Sequence, residues 1–214
     1  MALHRTLGDE WGIANSLFLL GLLFDPAAGL PLLEESARLF DRLGDEHYIL
    51  LVNNNLAWIY DELGDATRER AILEENLGRA RTAGNRRMEC DTLELLATPA
   101  LQEERFGDAH AMLRDALHLA LELNEPFVLA TILIHIAEVL AAEGHTTTAT
   151  RLLSAGEAIR EKTGGSRDYV IARRDRTLAA IHTSLGDAEF TAAWEQGRSL
   201  TLEQTIDLAL DPPA

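Results

Sequence analysis

Histidine, cysteine and serine are the residues of this sequence that could carry catalytic or metal chemistry. His110 and His118 are eight positions apart and can share one helix face. A zinc site needs three or four ligands, and no two histidines flank a glutamate with the i, i+4 spacing of a helix-borne zinc site. We therefore interpret both as ordinary surface histidines. The remaining histidines are His4, His47, His135, His145 and His182.

Nucleophilic chemistry has no better support in the sequence. Cys90 has no obvious neighbouring base, so it is predicted to be a small buried residue. No serine stands in a Gly-x-Ser-x-Gly turn, and no glycine-rich loop ends in Lys-Ser or Lys-Thr to cradle phosphates. We therefore expect no enzymatic activity, no metal and no cofactor.

Composition and charge limit the classes of partner. The chain carries a net charge of -16 with a pI near 4.8, which repels phosphate backbones, so we expect no direct contact with nucleic acid. A single cysteine allows no internal disulfide and favours a reducing compartment. Eighteen of the nineteen basic residues are arginine, which is typical of GC-rich bacterial genomes. A cytoplasmic bacterial protein is the expectation.

The most apolar run, Leu17 to Phe24, invites interpretation as a signal peptide. Asp9 and Glu10 stand where such a peptide avoids acids, and the run is too short to span a bilayer. We therefore predict that it belongs to a repeat and that the chain has no membrane segment.

The residues above lie on predicted helices. The sequence pattern of these helices recurs with a period of 40. Leu56-Ala57 returns as Leu96-Ala97 and Ile136-Ala137, and a closing residue recurs at Gly44, Gly84, Asn124 and Gly164. A period of this length indicates stacked antiparallel helix pairs. The predicted fold is all-α, an α-solenoid of about five repeats with a C-terminal capping helix. The predicted single domain, 1–214, comprises the end of a truncated preceding repeat at 1–8, repeats at 9–44, 45–84, 85–124, 125–164 and 165–198, and the capping helix at 199–211.

Helix boundaries are predicted from local sequence. Glycine ends a helix in the left-handed conformation, and the following aspartate caps the next helix. We expect this device at Gly8-Asp9, Gly44-Asp45, Gly64-Asp65, Gly107-Asp108 and Gly186-Asp187. A turn is predicted at 25–28, helices near 29–43 and 166–185, a capping box at 201–204, and a stop at Pro212-Pro213.

The third repeat departs from this pattern. Its turn is predicted at Gly107, three positions later than Gly64 plus 40, and Pro99 falls inside its first helix. Proline in a helix interior removes a hydrogen bond and bends the helix. Two interpretations stay open: a kink on the outer surface without functional consequence, or a feature with a functional role, namely a hinge or a widened ligand pocket.

The pattern resembles a known family. Leu56-Ala57 with Tyr60 on a first helix and Gly64-Asp65 at the turn resemble tetratricopeptide repeats. The period of 40, with the segments Leu7–Leu17 and Leu32–Ser36, resembles the repeats of signal-transducing ATPases of the maltose-regulator type. The tail from Ala193 to Leu210 is similar to the end of the repeat region in bacterial LuxR-type regulators. Glu69 and Asn76 depart from the pattern, because the family usually has small residues there.

The resemblance implies a right-handed superhelix whose first helices line a concave face. On each first helix, the residues one helical step from the Leu-Ala motif would point into this concave face. Leu22 of the first repeat would also point into it. The implied binding residues are Asn15, Phe18, Asn54, Trp58, Asp61, Asp91, Glu94, Thr98, Thr131, His135 and Glu138. Acids beside Trp58 and Phe18 suit a basic or polar-aromatic ligand such as a peptide or sugar. The alternative is a merely solvated face.

The resemblance further implies a sensor or scaffold segment without its ATPase and DNA-binding parts. The leading functional prediction is a non-catalytic interaction module of a transcriptional regulator, which binds a partner protein, a peptide or the regulator's own ATPase core. The alternatives are a receptor domain for a small-molecule inducer and a free-standing adaptor. A homodimer is also predicted, because both ends of the array would expose apolar helix faces.

Overall fold

The computed structural model describes residues 2–164 and 168–211, whose regular structure consists of twelve α-helices. The helices are α1 Ala2–Leu7, α2 Glu10–Leu23, α3 Pro26–Leu43, α4 Glu46–Glu62, α5 Ala66–Thr82, α6 Arg86–Gln102, α7 Phe106–Glu122, α8 Pro126–Ala142, α9 Thr146–Thr163, α10 Asp168–Leu185, α11 Asp187–Ser199 and α12 Leu202–Leu210. The predicted all-α fold of consecutive helices is confirmed. Ser166 and Pro212-Pro213 lie outside the described residues.

Contacts between residues divide the chain into two compact units, Met1–Pro99 and Ala100–Ala214. In the first unit, each of α2 to α4 packs against the next helix along the chain. In the second unit, α8 packs against both α9 and α10, while α9 packs against both α10 and α11. Helix pairs in the second unit therefore stack on the pairs that follow them.

Each unit buries its own set of aliphatic and aromatic side chains. In the first unit Leu17, Leu33 and Phe40 are buried together with Leu50 and Ile59 in one cluster. In the second unit, six large side chains of α7 and α8 are fully buried. They are Leu113, Leu117, Ile132, Leu133, Ile134 and Ile136. Leu113 and Leu117 of α7 are four positions apart and share one helix face, whereas α8 is buried all round from Val128 to Ala137.

The repeat period is visible in the helix starts. First helices begin at Glu46, Arg86 and Pro126, and second helices begin at Ala66, Phe106 and Thr146, so each start is one period after the previous one. The earlier helix α3 begins at Pro26, one period before Ala66, so the predicted turn at 25–28 is wrong. Proline suits the first helical position because it needs no hydrogen-bond partner for an N–H group.

The glycine–aspartate device is confirmed at three of its five predicted places. Asp9, Asp45 and Asp65 each accept a hydrogen bond from the backbone N–H three positions later, at 2.8, 3.2 and 3.1 Å. At Gly186 the glycine has φ 74° and is itself the N-cap, without a side-chain hydrogen bond. Gly107 lies inside α7, whose N-cap is Arg105. The aspartate cap is therefore wrong at these last two places, while Gly186 does end α10 with a positive φ, as predicted.

The third repeat keeps the register of the second, contrary to the predicted shift. Its turn lies at Glu104, which has φ 57° and occupies the position of Gly64 in the preceding repeat. The Glu104 N–H donates to Leu101 O at 3.0 Å, and the Arg105 N–H donates to Ala100 O at 2.8 Å. These two bonds satisfy the last helical carbonyls, as in a Schellman motif. The shift predicted from Gly107 is wrong because this backbone turn forms without glycine.

Replacing Glu104 with glycine should stabilise the chain. A left-handed non-glycine residue costs about 1–2 kcal/mol, and the greater freedom of glycine in the unfolded chain offsets part of the relief. We expect a net gain of about 0.5 kcal/mol, measured as a higher midpoint of urea unfolding. The matched control is Gly64→Ala, which should lower the midpoint because Gly64 has φ 74°. A lower midpoint for Glu104→Gly would contradict the assigned turn.

Pro99 lies within α6 and is buried, so the interpretation as an outer-surface kink is wrong.

At the C-terminus the predicted capping box is confirmed. The Gln204 N–H donates to Thr201 Oγ1 at 3.2 Å, and the Thr201 N–H donates to Gln204 Oε1 at 2.9 Å. The box starts α12, which packs on α9 and buries Thr205 and Ala209. Leu202, the first residue of α12, is exposed.

Across the described residues, no helix combines the length and the apolar character that crossing a bilayer requires.

Candidate interaction surfaces

The predicted binding residues stand on α2, α4, α6 and α8, but most of them do not reach the surface. Seven are buried: Phe18, Asn54, Asp91, Glu94, Thr98, Thr131 and His135. Four are partly exposed: Asn15, Trp58, Asp61 and Glu138. Glu94 is 1% exposed and Asp91 is 5% exposed, so the alternative of a solvated face does not describe these two acids.

Asn54 belongs to a buried polar network in the first unit. Asn76 Nδ2 donates to Asn54 Oδ1 at 2.7 Å and to Leu50 O at 3.0 Å, while Asn53 Nδ2 donates to Asn76 Oδ1 at 3.2 Å. Thr92 Oγ1 donates to Asn54 Oδ1 at 3.0 Å. The network links α4, α5 and α6 within the unit. Tetratricopeptide repeats usually have a small residue at the position of Asn76. The asparagine fits there because the network satisfies the hydrogen bonds of its buried amide.

Trp58 is predicted to contact a ligand, yet it packs against the hydrophobic core of the first unit. Its Nε1 is buried and has no hydrogen-bond partner among the described residues. Indole N–H groups usually find a partner when buried. Trp58 therefore contributes to packing whether or not it also contacts a ligand.

Glu138 lies in a cleft between α8 and α10 of the second unit. Arg173 Nη1 donates to Glu138 Oε2 at 3.3 Å, and the Arg173 side chain is only 9% exposed. The cleft has a volume of about 320 Å³, and its polar lining comprises Glu138, Thr146, Arg176, Thr177 and Ser184. The sequence analysis missed the residues of α10. The repeat register does not indicate them, since Arg176 and Thr177 are one period after Ile136 and Ala137, which were not predicted to bind.

Replacing Glu138 with glutamine should lower stability. The substitution removes the carboxylate charge from the partly buried ion pair between Glu138 and Arg173. Because Glu138 is itself partly exposed, we expect a loss of about 1 kcal/mol rather than the several kcal/mol of a fully buried pair. Thermal unfolding measures it, with Glu74→Gln on the exposed side of α5 as the comparison that should change little. An unchanged unfolding temperature for Glu138→Gln would show that the pair contributes nothing.

The last turn of α2 exposes a cluster of large apolar side chains, which we call the α2 patch: Leu19, Leu22, Leu23 and Phe24. Their exposed fractions are 52%, 38%, 80% and 54%. Leu20-Gly21 of α2 aligns with the motifs Leu56-Ala57 and Ile136-Ala137. In this alignment Leu23 corresponds to Ile59 and Val139, and both of these are 1% exposed. Leu23 in the α2 patch is therefore exposed at a position that α4 and α8 bury.

The α2 patch was not anticipated, because the apolar run was assigned to a repeat interior. One feature of the sequence could have indicated it. Leu19 and Leu23 are four positions apart and share a face, and the helix is apolar all round. Such a helix is either covered on every side or leaves an apolar face exposed.

His110 and His118 do not belong to a metal-binding cluster among the described residues. His110 Nε2 lies 2.7 Å from Glu143 Oε2, a contact between α7 and the end of α8, and His118 is exposed. Over residues 2–164 and 168–211, no three His, Cys, Asp or Glu side chains are grouped closely enough to bind a metal ion. Cys90 is buried, as predicted.

Comparison of the chain with models of known protein families and with curated protein sequences finds no match. The resemblance to tetratricopeptide regulators therefore rests on the sequence pattern alone.

Proposed function

We propose that this chain is a non-catalytic, cytoplasmic protein-interaction module that binds a partner protein or peptide. The observation that carries the proposal is the α2 patch, with four large apolar side chains exposed at one helix end. Contiguous exposed apolar surface marks interaction sites in folded proteins. Following the resemblance, we assign the module to a bacterial transcriptional regulator, with the regulator's own ATPase core among its partners.

The charge distribution supports a protein partner at this patch. The chain carries 35 acidic residues, yet no charged residue occurs from Trp11 to Phe24. An apolar partner surface can cover the patch without desolvating a charge, which is the costly part of forming an interface. The same net charge of -16 disfavours nucleic acid as the partner.

The helical fold indicates the kind of partner. The positions of α4 and α8 that correspond to Leu23 are Ile59 and Val139, and both are buried inside their helix arrays. A partner that presents an apolar helix face would bury Leu23 in the same way and would also cover Leu19, one turn earlier. Such helix-against-helix recognition uses apolar anchors at i, i+4 spacing.

Photo-crosslinking tests this proposal. A photoreactive amino acid at Leu23 should give a discrete protein adduct in the producing cells, and the charged substitution Leu19→Glu should remove it. The matched control places the same photoreactive residue at Glu74, which is exposed on α5. Identical adducts at both positions, or none at Leu23, would contradict a specific interface at the α2 patch.

Self-association through the α2 patch is one form that the interaction can take. Light scattering over a hundredfold range of concentration should then show a dimer that Leu23→Glu converts to a monomer. A mass that stays monomeric throughout would exclude the homodimer and assign the patch to a different protein.

A second function, as receptor for a small-molecule inducer, is favoured by the cleft between α8 and α10. Its volume of about 320 Å³ and its polar lining suit a small polar ligand. A ligand that binds only the folded state raises the unfolding temperature. A metabolite panel should therefore contain a compound that stabilises the wild type but not Arg176→Gln. A panel without such a compound would count against the receptor function.

A further inference from the structure

A second groove lies in the second unit and shares no lining residue with the cleft between α8 and α10. It runs between α9 and the two C-terminal helices α11 and α12 and has a volume of about 570 Å³. Ligand sites of folded proteins commonly have volumes of about 300–1,000 Å³. Its lining residues are Arg151, Gln196, Ser199, Leu200, Gln204, Asp207, Leu208 and Asp211.

Arg151 is the unusual member of this lining. Its Nε is buried and has no hydrogen-bond partner, and its guanidinium forms no ion pair with any residue in the described part of the chain. The chain has 35 acidic and only 19 basic residues, and several other arginines are paired, such as Arg160 with Glu157 at 2.7 Å. A partly buried guanidinium without a carboxylate therefore has unused capacity to bind an anion.

The groove also carries groups of the opposite character. The carboxylates of Asp207 and Asp211 line it and are not paired with a described basic side chain. The Gln204 side-chain oxygen is committed to the Thr201 N–H at 2.9 Å, which leaves its amide N–H groups as donors. Leu200 and Leu208 supply apolar surface in the same groove.

Close packing fixes the helices that line the groove. Gly197 of α11 packs so closely on α9 that a Cβ there would overlap the backbone carbonyl of Arg151. Beside it, Ser154 Oγ donates to Trp194 O at 2.6 Å, and the capping box at Thr201 fixes the direction of α12. The ligand groups therefore stand on packed helices, which lowers the ordering cost of binding.

We propose that this groove binds a short peptide with free termini, whose carboxylate contacts Arg151 and whose ammonium group contacts Asp207 or Asp211. A site with one unpaired cation and separate unpaired anions complements a zwitterion better than a simple anion or a simple cation. The apolar surface of Leu200 and Leu208 contacts the side chains of the peptide. This site does not depend on the α2 patch or on the cleft between α8 and α10.

Titration of the full chain with trialanine tests the proposal, with amide chemical shifts as the readout. We expect saturable shifts on α9, α11 and α12. Arg151→Gln should weaken binding at least tenfold, because it removes the charge-assisted contact with the carboxylate. The matched control is Lys162→Gln, which removes the same charge from the same helix about 16 Å away along its axis and should leave the affinity unchanged.

Modified peptides provide a test that does not depend on a variant folding. Trialanine amide should bind at least tenfold more weakly than trialanine to the wild-type chain, and N-acetyl-trialanine should also bind more weakly. No saturable shift with trialanine, or equal binding of the amide, would overturn the proposal. Equal affinity for inorganic phosphate would also overturn it, because the site would then be a simple anion site.

Discussion

Replacing Gly29 with alanine should destabilise the first unit by about 3 kcal/mol, because two helix backbones meet at this residue. Gly29 of α3 faces Gly21 of α2, and a Cβ on Gly29 would overlap the carbonyl oxygen of Gly21. Backbone atoms cannot rotate away as a flexible side chain can. The two helices would have to separate, which opens gaps around Leu33 and the neighbouring core. Urea unfolding followed by circular dichroism measures the loss.

Gly78→Ala is the matched control for this prediction. Gly78 lies in the interior of α5 and has no atom within 4 Å of a Cβ built on it. The substitution should stabilise the chain by about 0.5–1 kcal/mol, since alanine favours the helix more than glycine does. The two substitutions are chemically identical and have opposite expected signs. A neutral or stabilising result at Gly29 would show that α2 and α3 are not in this close contact.

Replacing Asn76 with alanine should cost about 3 kcal/mol, the second large effect that we expect, because alanine leaves buried partners without hydrogen bonds and creates a small cavity. Asn76 is fully buried and joins Asn53, Asn54 and the carbonyl of Leu50 in one network. The free energy of unfolding measures the change.

The neighbouring Asn55 gives the comparison for Asn76. Asn55 is partly exposed and donates only to Leu51 O, one turn earlier in α4, at 2.8 Å. Asn55→Ala should therefore change stability by no more than about 0.5 kcal/mol. Losses of similar size at the two asparagines would mean that the buried network does not stabilise the unit.

Helix positions in this protein follow from local sequence, which is why the repeat could be predicted. Asp45 and Asp65 start α4 and α5 by capping their first turns, and the apolar positions between them set the buried faces. Glu104 shows the limit of that reasoning. Its left-handed turn is stabilised by backbone hydrogen bonds that any residue can make, so no glycine marks it in the sequence.

Burial depth in this chain depends on neighbouring helices that a single helix sequence does not specify. The pattern placed Asn54 on an inner face, but only the approach of Asn76 and Thr92 makes it part of a closed network. Leu23 and Ile59 occupy matched positions with similar side chains and are 80% and 1% exposed. Their difference comes from what packs against each helix.

The proposed function requires that a partner protein covers the α2 patch in the cell. Thiol labelling of Leu23→Cys measures this coverage, because the native Cys90 is buried and does not compete for the reagent. We expect rapid labelling of the purified variant and strong protection in the producing cells, while Glu74→Cys on α5 is labelled equally in both. Equal labelling of Leu23→Cys in the two settings would show that no partner covers the patch.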